Sequence, residues 1–539
     1  MNQKPAFIAL SGLFLIGIGI VAFFGLPFLV LEEVYKRLEL TEGSESYEIW
    51  KEIPLPMYQK FYFYNVTNSV DVERLGSKPI LKEIGPFTYR VFLKKNNINF
   101  NRNGTVTYRE SKSWQFQPHL SFASESQTIV TLNTPLAFTL TLLQSATPTV
   151  RVIVTLALDA VTEGFFIKRS VKQLLFDGYP DLLTTFGPLL NPGIPNNNQG
   201  KFGFFYPKNN TDDGLFTTFT GESGIEQLNL IDMYNGRPNL NFWSSGDCNS
   251  LKGATNGELR PPFKPKLDNI KFFNPDICRV LNLKREKNVE LFSIQATRFK
   301  LDENTFKNKN DYPPNACYTS KIPKPQPQLI NLQRTPAAQR LRQPFPSGVF
   351  DVSNCRYGVP LMLSAPHFLN ADQYYFSTID GMSPNESLHG FWVDIDPTTG
   401  STVGMALRLQ VNVYITRYPG LVRYRNIPEI IFPIFWQEFQ VSFTEDLAEN
   451  LKMANRVPGL VASVTGYSFG VVGIILLIAA LFITLIPFYK LHKAEITGVV
   501  SAPTDDRSKR EDGTKDDVKI ISKRMSTVEL GVDNPIPVT

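Results

Sequence analysis

The chain has 539 residues, of which 55 are basic and 50 acidic, a net charge of only +5. With no long basic block or aromatic-basic ladder, this balance gives no basis for a nucleic-acid partner. The 41 phenylalanines, 20 tyrosines and 39 prolines suit packed β-structure or an apolar cavity better than a polar helical protein.

Residues 5–31 carry no charge, with Lys4 before them and Glu32 after. A membrane-crossing helix needs about 20 apolar residues. This run is longer than the apolar region of a cleaved signal peptide, and no small-x-small cleavage site precedes Glu32 and Glu33, so it reads as a retained anchor. Gly17, Gly19 and Ala22 mimic a dinucleotide fingerprint, but that motif needs a preceding soluble strand, and here it would lie in lipid. Residues 457–489 form a second uncharged run, between Arg456 and Lys490. Lys490, His492 and Lys493 beyond it, with Lys4 at the other end, predict that both termini are cytoplasmic. The predicted organisation is a short cytoplasmic terminus (1–4), a first membrane helix (5–31), an extracellular or lumenal body (32–456), a second membrane helix (457–489) and a cytoplasmic tail (490–539).

All four cysteines, Cys248, Cys278, Cys317 and Cys355, lie in the central body, as do four Asn-x-Ser/Thr acceptors at Asn65, Asn103, Asn209 and Asn385. Their shared confinement points to an oxidising compartment. Four cysteines allow three pairings, which spacing alone does not separate.

Within the body, residues 60–67, 87–93, 106–110, 202–206, 215–219 and 289–299 have strand texture, bounded by turn residues. Residues 150–177 change to a helical texture, read as an amphipathic helix pair or as an exposed apolar cap that meets ligands. Between Asp311 and Asp351 no acidic residue occurs; Lys321, Lys324, Arg334, Arg340 and Arg342 stand among prolines, a solvated extended loop or a basic patch for anions. The clearest strand is 402–415, where Val403, Met405, Leu407, Leu409, Val411 and Val413 alternate with Gly404, Ala406, Arg408, Gln410 and Asn412. Ser442 and Glu445 are spaced as a capping box for a helix carrying Leu447, Leu451 and Ala454. In the second membrane run Ala462, Gly466 and Gly470 recur every four residues, a candidate packing face for the first helix or a second copy. The tail has nine basic and nine acidic residues and reads as disordered. Its Asp516, Ile520 and Ile521 loosely match an acidic dileucine sorting signal.

No metalloprotease, nucleophile-elbow, phosphate-loop or C-x-x-C motif occurs. Asp394 and Asp396 would share a strand face, but such pairs are usually solvated turn flanks. Neither an enzyme nor a cofactor is expected.

Motifs in order resemble the class B scavenger receptor family: Phe63-Tyr64-Asn65-Val66-Thr67-Asn68, Gly85-Pro86-Phe87-Thr88-Tyr89-Arg90, Asn239-Leu240-Asn241-Phe242-Trp243, Arg260-Pro261-Pro262-Phe263, Asp276-Ile277-Cys278-Arg279, Pro366-His367-Phe368-Leu369 and Leu407-Arg408-Leu409-Gln410-Val411-Asn412. The resemblance covers nearly the whole chain outside the tail. It implies an α+β membrane protein: a large ectodomain with an antiparallel β-barrel core, an apical helical bundle and an apolar tunnel, tethered by two transmembrane helices. By the same likeness Cys248 pairs with Cys317 and Cys278 with Cys355, and Phe165, Phe166, Lys168 and Arg169 belong to the apex that meets ligands. The third bridge of several family members has no counterpart here. The implied partners are lipids (fatty acid, phospholipid or sterol), lipoproteins or other anionic ligands, with a homo-oligomer or a lumenal protein partner as further possibilities. The implied function is lipid binding and transfer at a plasma membrane; the alternative is a lysosomal membrane protein that sorts a lumenal enzyme, exports lipid or maintains lysosome integrity.

Overall fold

The computed structural model describes residues 3–143, 146–161, 163–184, 200–206, 208–263, 267–318, 345–416 and 422–498. The basic Pro-rich loop from Lys321 to Arg342 and the tail residues Asp516, Ile520 and Ile521 lie outside them. Contacts divide the chain after Gly17 and before Phe469: the two terminal helix segments form one compact unit and Ile18–Ser468 the other.

Both apolar runs are helical and long enough to cross a membrane: Lys4–Leu38, and Leu447–Lys493 within Glu445–Gly498. Each helix outruns its uncharged stretch, the first extending through Glu33 and Arg37, which pair at 3.3 Å one turn apart. Their large apolar side chains point outward, Phe14 at 69% and Phe488 at 73% exposure, as lipid-facing residues must. The second helix starts later than a capping box at Ser442 requires. Ser442 ends the strand Ile430–Ser442, and the first helical bond runs from Ala448 N–H to the Thr444 carbonyl. The small-residue face also differs from the sequence expectation. A Cβ on Gly473 would sit 2.6 Å from the Gly12 carbonyl oxygen, and one on Gly466 would sit 2.8 Å from Phe23 Cβ, whereas Gly470 faces open space. Ala462 is buried. A four-residue repeat precesses around a 3.6-residue helix, so Gly470 rotates off the contact line.

The body is built on one large sheet. In spatial order its main path runs Ala254–Thr255, Asn269–Asn274, Arg279–Leu291, Ile294–Leu301, Trp392–Ile395, Thr402–Ile415, Ile430–Ser442, Met57–Val66, Leu81–Asn101, Thr105–Phe116, Thr211–Phe219 and Ile231–Tyr234. All neighbours are antiparallel except the first pair, and the sheet is nearly closed. Residues 289–299, read as one strand, contain a hairpin: Phe292 and Ser293 take positive φ, and Arg279–Leu291 turns back into Ile294–Leu301. Residues 202–206 contribute only the end of Lys201–Phe202.

The helical reading of 150–177 holds at its two ends, the second being the short helix Gln173–Asp177, but not in the middle. Helix Pro148–Val161 buries Val154 and Leu158 and exposes Val152, Ile153 and Leu156. After Gly164, at φ +158°, the chain becomes strand Phe166–Ser170 and pairs with Thr128–Leu132. Here a partner strand overrides helical periodicity. Beside it lies a helix with no amphipathic signal, Thr134–Leu143. It is buried nearly all round, and Thr139 and Thr141 turn their hydroxyls onto the Pro135 and Ala137 carbonyls.

Strand Thr402–Ile415 has the predicted bounds, but both of its faces are buried. Its inner polar residues therefore need partners. The Gln410 side-chain oxygen accepts from Tyr64 O–H and His367 N–H, each at 2.7 Å, and its amide donates to Asn412 at 2.8 Å. His367 stacks on His389 with ring centres 4.3 Å apart. Glu83 accepts from the far nitrogen of His367 at 2.7 Å and from Trp436 Nε1 at 2.6 Å. Burial opposes ionisation of Glu83, yet these hydrogen bonds hold it below the usual carboxylate range. His389 Nδ1 accepts the Asn385 N–H at 3.0 Å, which requires an unprotonated nitrogen. Burial and the neighbouring His367 push His389 down to about 4.

Two predictions follow from this packing. Gly473→Leu should drive side-chain atoms into the Gly12 backbone and destabilise the helix pair by about 1–3 kcal/mol, while Gly470→Leu should be neutral. Thermal unfolding in detergent measures both, and equal effects would refute the seam. For His389 the folded state favours the neutral ring, so its contribution is complete above the unfolded value of about 6.5 and is lost as pH falls towards 4. The loss should reach about 3 kcal/mol between pH 7 and pH 4, and His389→Gln should flatten that part of the stability profile.

Candidate functional site

Strands with one face turned inward place alternate residues on a common wall. Met405, Leu407 and Leu409 do so from Thr402–Ile415, Gln437, Phe439 and Val441 from Ile430–Ser442, and Val91 and Leu93 from Leu81–Asn101. With Phe272, Phe391 and Trp114 they enclose a largely apolar cavity of about 190 Å³. Its chemistry is that of a solvent for hydrocarbon, and apolar surface moved there from water gains about 25 cal/mol per Å².

One part of the wall is charged. Lys95 continues the inward series of Val91 and Leu93, and its side chain is 1% exposed. Its ammonium lies 2.7 Å from a Glu258 oxygen and 3.2 Å from a Glu110 oxygen, over the rings of Trp50 and Tyr108. One cation thus serves two buried carboxylates. Burial, then the charge of Glu110, push Glu258 up to about 8, whereas Lys95 overcomes burial to hold Glu110 down. Asn256 also donates to Glu258, at 2.8 Å. Nearby, Lys112 pairs with Asp213, and Asp276 with Lys208 and Arg356. Each of these wall charges has a partner in the protein, so the site is preorganised.

Cys248 is bonded to Cys317 and Cys278 to Cys355, with Cα atoms 6.2 and 6.4 Å apart. Between the bridges Arg279 is buried, stacked 3.9 Å over Tyr318 and donating to the Thr305 carbonyl and to Asn315. Asn103, Asn209 and Asn385 are exposed; Asn65 is half-buried and its oxygen accepts the Val130 N–H at 2.9 Å.

The residues assigned to a ligand-meeting apex separate. Phe165 is 1% exposed and packs beside Tyr424, and Phe166 packs on the core beside Phe432, so the aromatic pair is scaffold. Strand alternation turns Lys168 outward, and Arg169 pairs with Glu163 over the Tyr179 ring. Asp394 and Asp396 are buried rather than solvated: Asp394 forms a two-point ion pair with Arg298 at 2.7 Å, and Asp396 closes the turn to Thr399. The Lys95, Glu110 and Glu258 cluster escaped the sequence reading. The one available signal was Lys95 itself, a charge at an inward position of an alternating strand. Among the described residues no group of three or more His, Cys, Asp or Glu is placed to hold a metal ion.

The geometry is an apolar chamber in a nearly closed sheet, with two apolar helices at the ends of the chain. Comparison with known proteins gives it a lineage. Scavenger receptor class B member 1 of Sus scrofa is 34% identical over 437 residues, 81% of this chain and 80% of the relative. The protein of the same description from Mus musculus is 34% identical over 429 residues, 79% of each chain. Lysosome membrane protein 2 of Homo sapiens is 31% identical over 424 residues, 78% of this chain and 82% of the relative. A model of the CD36 family matches residues 9–484, and this membrane protein belongs to that family.

Proposed function

We propose that this protein is a class B scavenger receptor-like glycoprotein that takes lipid into the chamber of its body and delivers it to or across the membrane. The observation that carries this reading is the largely apolar chamber bounded by Leu93, Phe272, Phe391, Met405 and Phe439. Each methylene left in water costs about 0.8 kcal/mol, so a lipid leaving a particle meets a lower barrier along an apolar route than through solvent. Such transfer runs down a concentration gradient and needs no nucleotide. The exposed sequons at Asn103, Asn209 and Asn385 and the basic residues at both chain ends support a body outside the cytoplasm with cytoplasmic termini. The kinship with scavenger receptor class B member 1 supports a receptor rather than an enzyme. Lipoproteins and other anionic ligands are the partners in this reading, with Lys168 and the exposed Val152, Ile153 and Leu156 as their contact surface.

The second reading is a lysosomal membrane protein with a lumenal partner. It is favoured by the likeness to lysosome membrane protein 2 and by the tail residues Asp516, Ile520 and Ile521.

Purified full-length protein should carry fatty acid, phospholipid or sterol, detected by mass spectrometry of an organic extract, and Met405→Trp should cut uptake of a labelled lipid at least fivefold. Protein that is lipid-free and takes up no label would sink the first reading. Residues 490–539 grafted onto a reporter separate the two readings. Lysosomal delivery abolished by changing Ile520 and Ile521 to alanine supports the second, and retention at the cell surface supports the first.

A further inference from the structure

Strand Met57–Val66 is paired with Leu81–Asn101 up to Met57 opposite Val91. Upstream, the next point of pairing is a bridge between Glu52 and Lys94. Between these two points Ile53, Pro54, Leu55 and Pro56 face only Phe92 and Leu93. Neither proline has an N–H to donate, so the ladder is interrupted there. On its other edge the same strand is paired without a break, from Arg90 opposite Gln115 to Asn96 opposite Arg109. The sheet wall therefore has a gap on one side of one strand.

A second cavity, of about 480 Å³, opens at this gap. It is bordered by both faces of the strand, by the buried Val91 and Leu93 and by the exposed Arg90, Phe92 and Lys94. Residues of both faces border it, as a passage through the wall requires. It shares Ile53, Leu55, Met57, Val91 and Leu93 with the inner chamber. The outer rim is basic. Arg90 lies 5.0 Å over the Phe92 ring and, among the described residues, pairs with no carboxylate. Among the described residues the Lys94 ammonium pairs with Glu52 alone, at 3.3 Å, and both are more than half exposed, a contact too weak and too solvated to exclude a competing anion. The chamber beyond is largely apolar, and the Lys112 ammonium on its wall is already paired with Asp213, so an anion entering would lose its hydration with little in return.

We propose that this gap is a side portal for a single-chain amphipath with an anionic head. Arg90 and Lys94 hold the head at the rim, and the chain passes over Ile53, Leu55, Val91 and Leu93 into the chamber. The head stays outside because the apolar chamber opposes burial of its charge, so the chain leads. The portal rests on the lipid-carrying reading above.

The test uses full-length protein in detergent, light-activated labelling with a hexadecanoate bearing a diazirine on its chain, the corresponding methyl ester as a neutral control, and peptide mapping. Adducts should fall on residues 53–57 and 92–93 as well as on the chamber. Arg90→Glu with Lys94→Glu, both exposed, should reduce labelling by the acid at least fivefold and leave labelling by the ester unchanged. Leu55→Trp, which fills the gap, should reduce chamber labelling by both. Adducts in the chamber at Phe391 or Met405 with none at the gap would overturn the portal alone. Gap labelling that ignores the charge reversal would overturn the anionic head. No adduct anywhere would overturn the portal and the lipid-carrying reading together.

Discussion

Twelve register pairs, from Gly404 with Ser442 to Ile415 with Ile430, bind the two central strands of the sheet, and the rest of the body is arranged around that ladder. Buried backbone groups must be paired, and two long strands side by side pair most of theirs with each other. The pairing leaves two outer edges, one taken by Met57–Val66 and the other by Trp392–Ile395 and Leu361–Ser364. From these edges the sheet grows in both directions until it is nearly closed. Closure turns one face of many strands inward, and the chamber is the space those side chains do not fill.

A curled sheet of this size has polar residues on covered faces, and the protein handles them in two ways. Some are neutral groups in chains of hydrogen bonds, such as Tyr64, Gln410, Asn412 and the backbone of His367. There each donor finds an acceptor and no charge is buried. Others are charges held in clusters, such as Lys95 between Glu110 and Glu258, or Asp276 with Lys208 and Arg356. Removing one member of such a cluster leaves an uncompensated charge. His389, stacked on His367, combines the two, since its neutral form is built into the hydrogen bonding and acid works against it.

The same logic explains the interruption of the wall beside Leu93. Where Pro54 and Pro56 remove donors, the ladder on that edge stops, and the space is filled by half-buried Ile53 and Leu55 rather than by backbone bonds. Side chains move aside at less cost than ladder hydrogen bonds break, so an entrance placed there leaves the sheet intact. The bridges Cys248–Cys317 and Cys278–Cys355 join segments distant in sequence. The Arg279 side chain between them, stacked on Tyr318 and Phe350, ties the loops they join into one packed region.

Much of this was legible in the residues alone. Two uncharged runs of more than 20 residues determine two membrane-length helices, because no other backbone arrangement satisfies its hydrogen bonds locally over that length. Alternation at 402–415 determined a strand with the bounds observed, and the ordered motifs determined the family. Other features depended on contacts between distant segments. Residues 166–170 became strand because Thr128–Leu132 offered an edge, and Phe165 became core because Tyr424 lies beside it. Gly473 rather than Gly470 lies at a helix contact because Gly12 faces it. The chamber, its carboxylate pair around Lys95 and the gap beside Leu93 are products of sheet closure. Each brings together residues dozens to hundreds of positions apart, and no local pattern encodes which of them will meet.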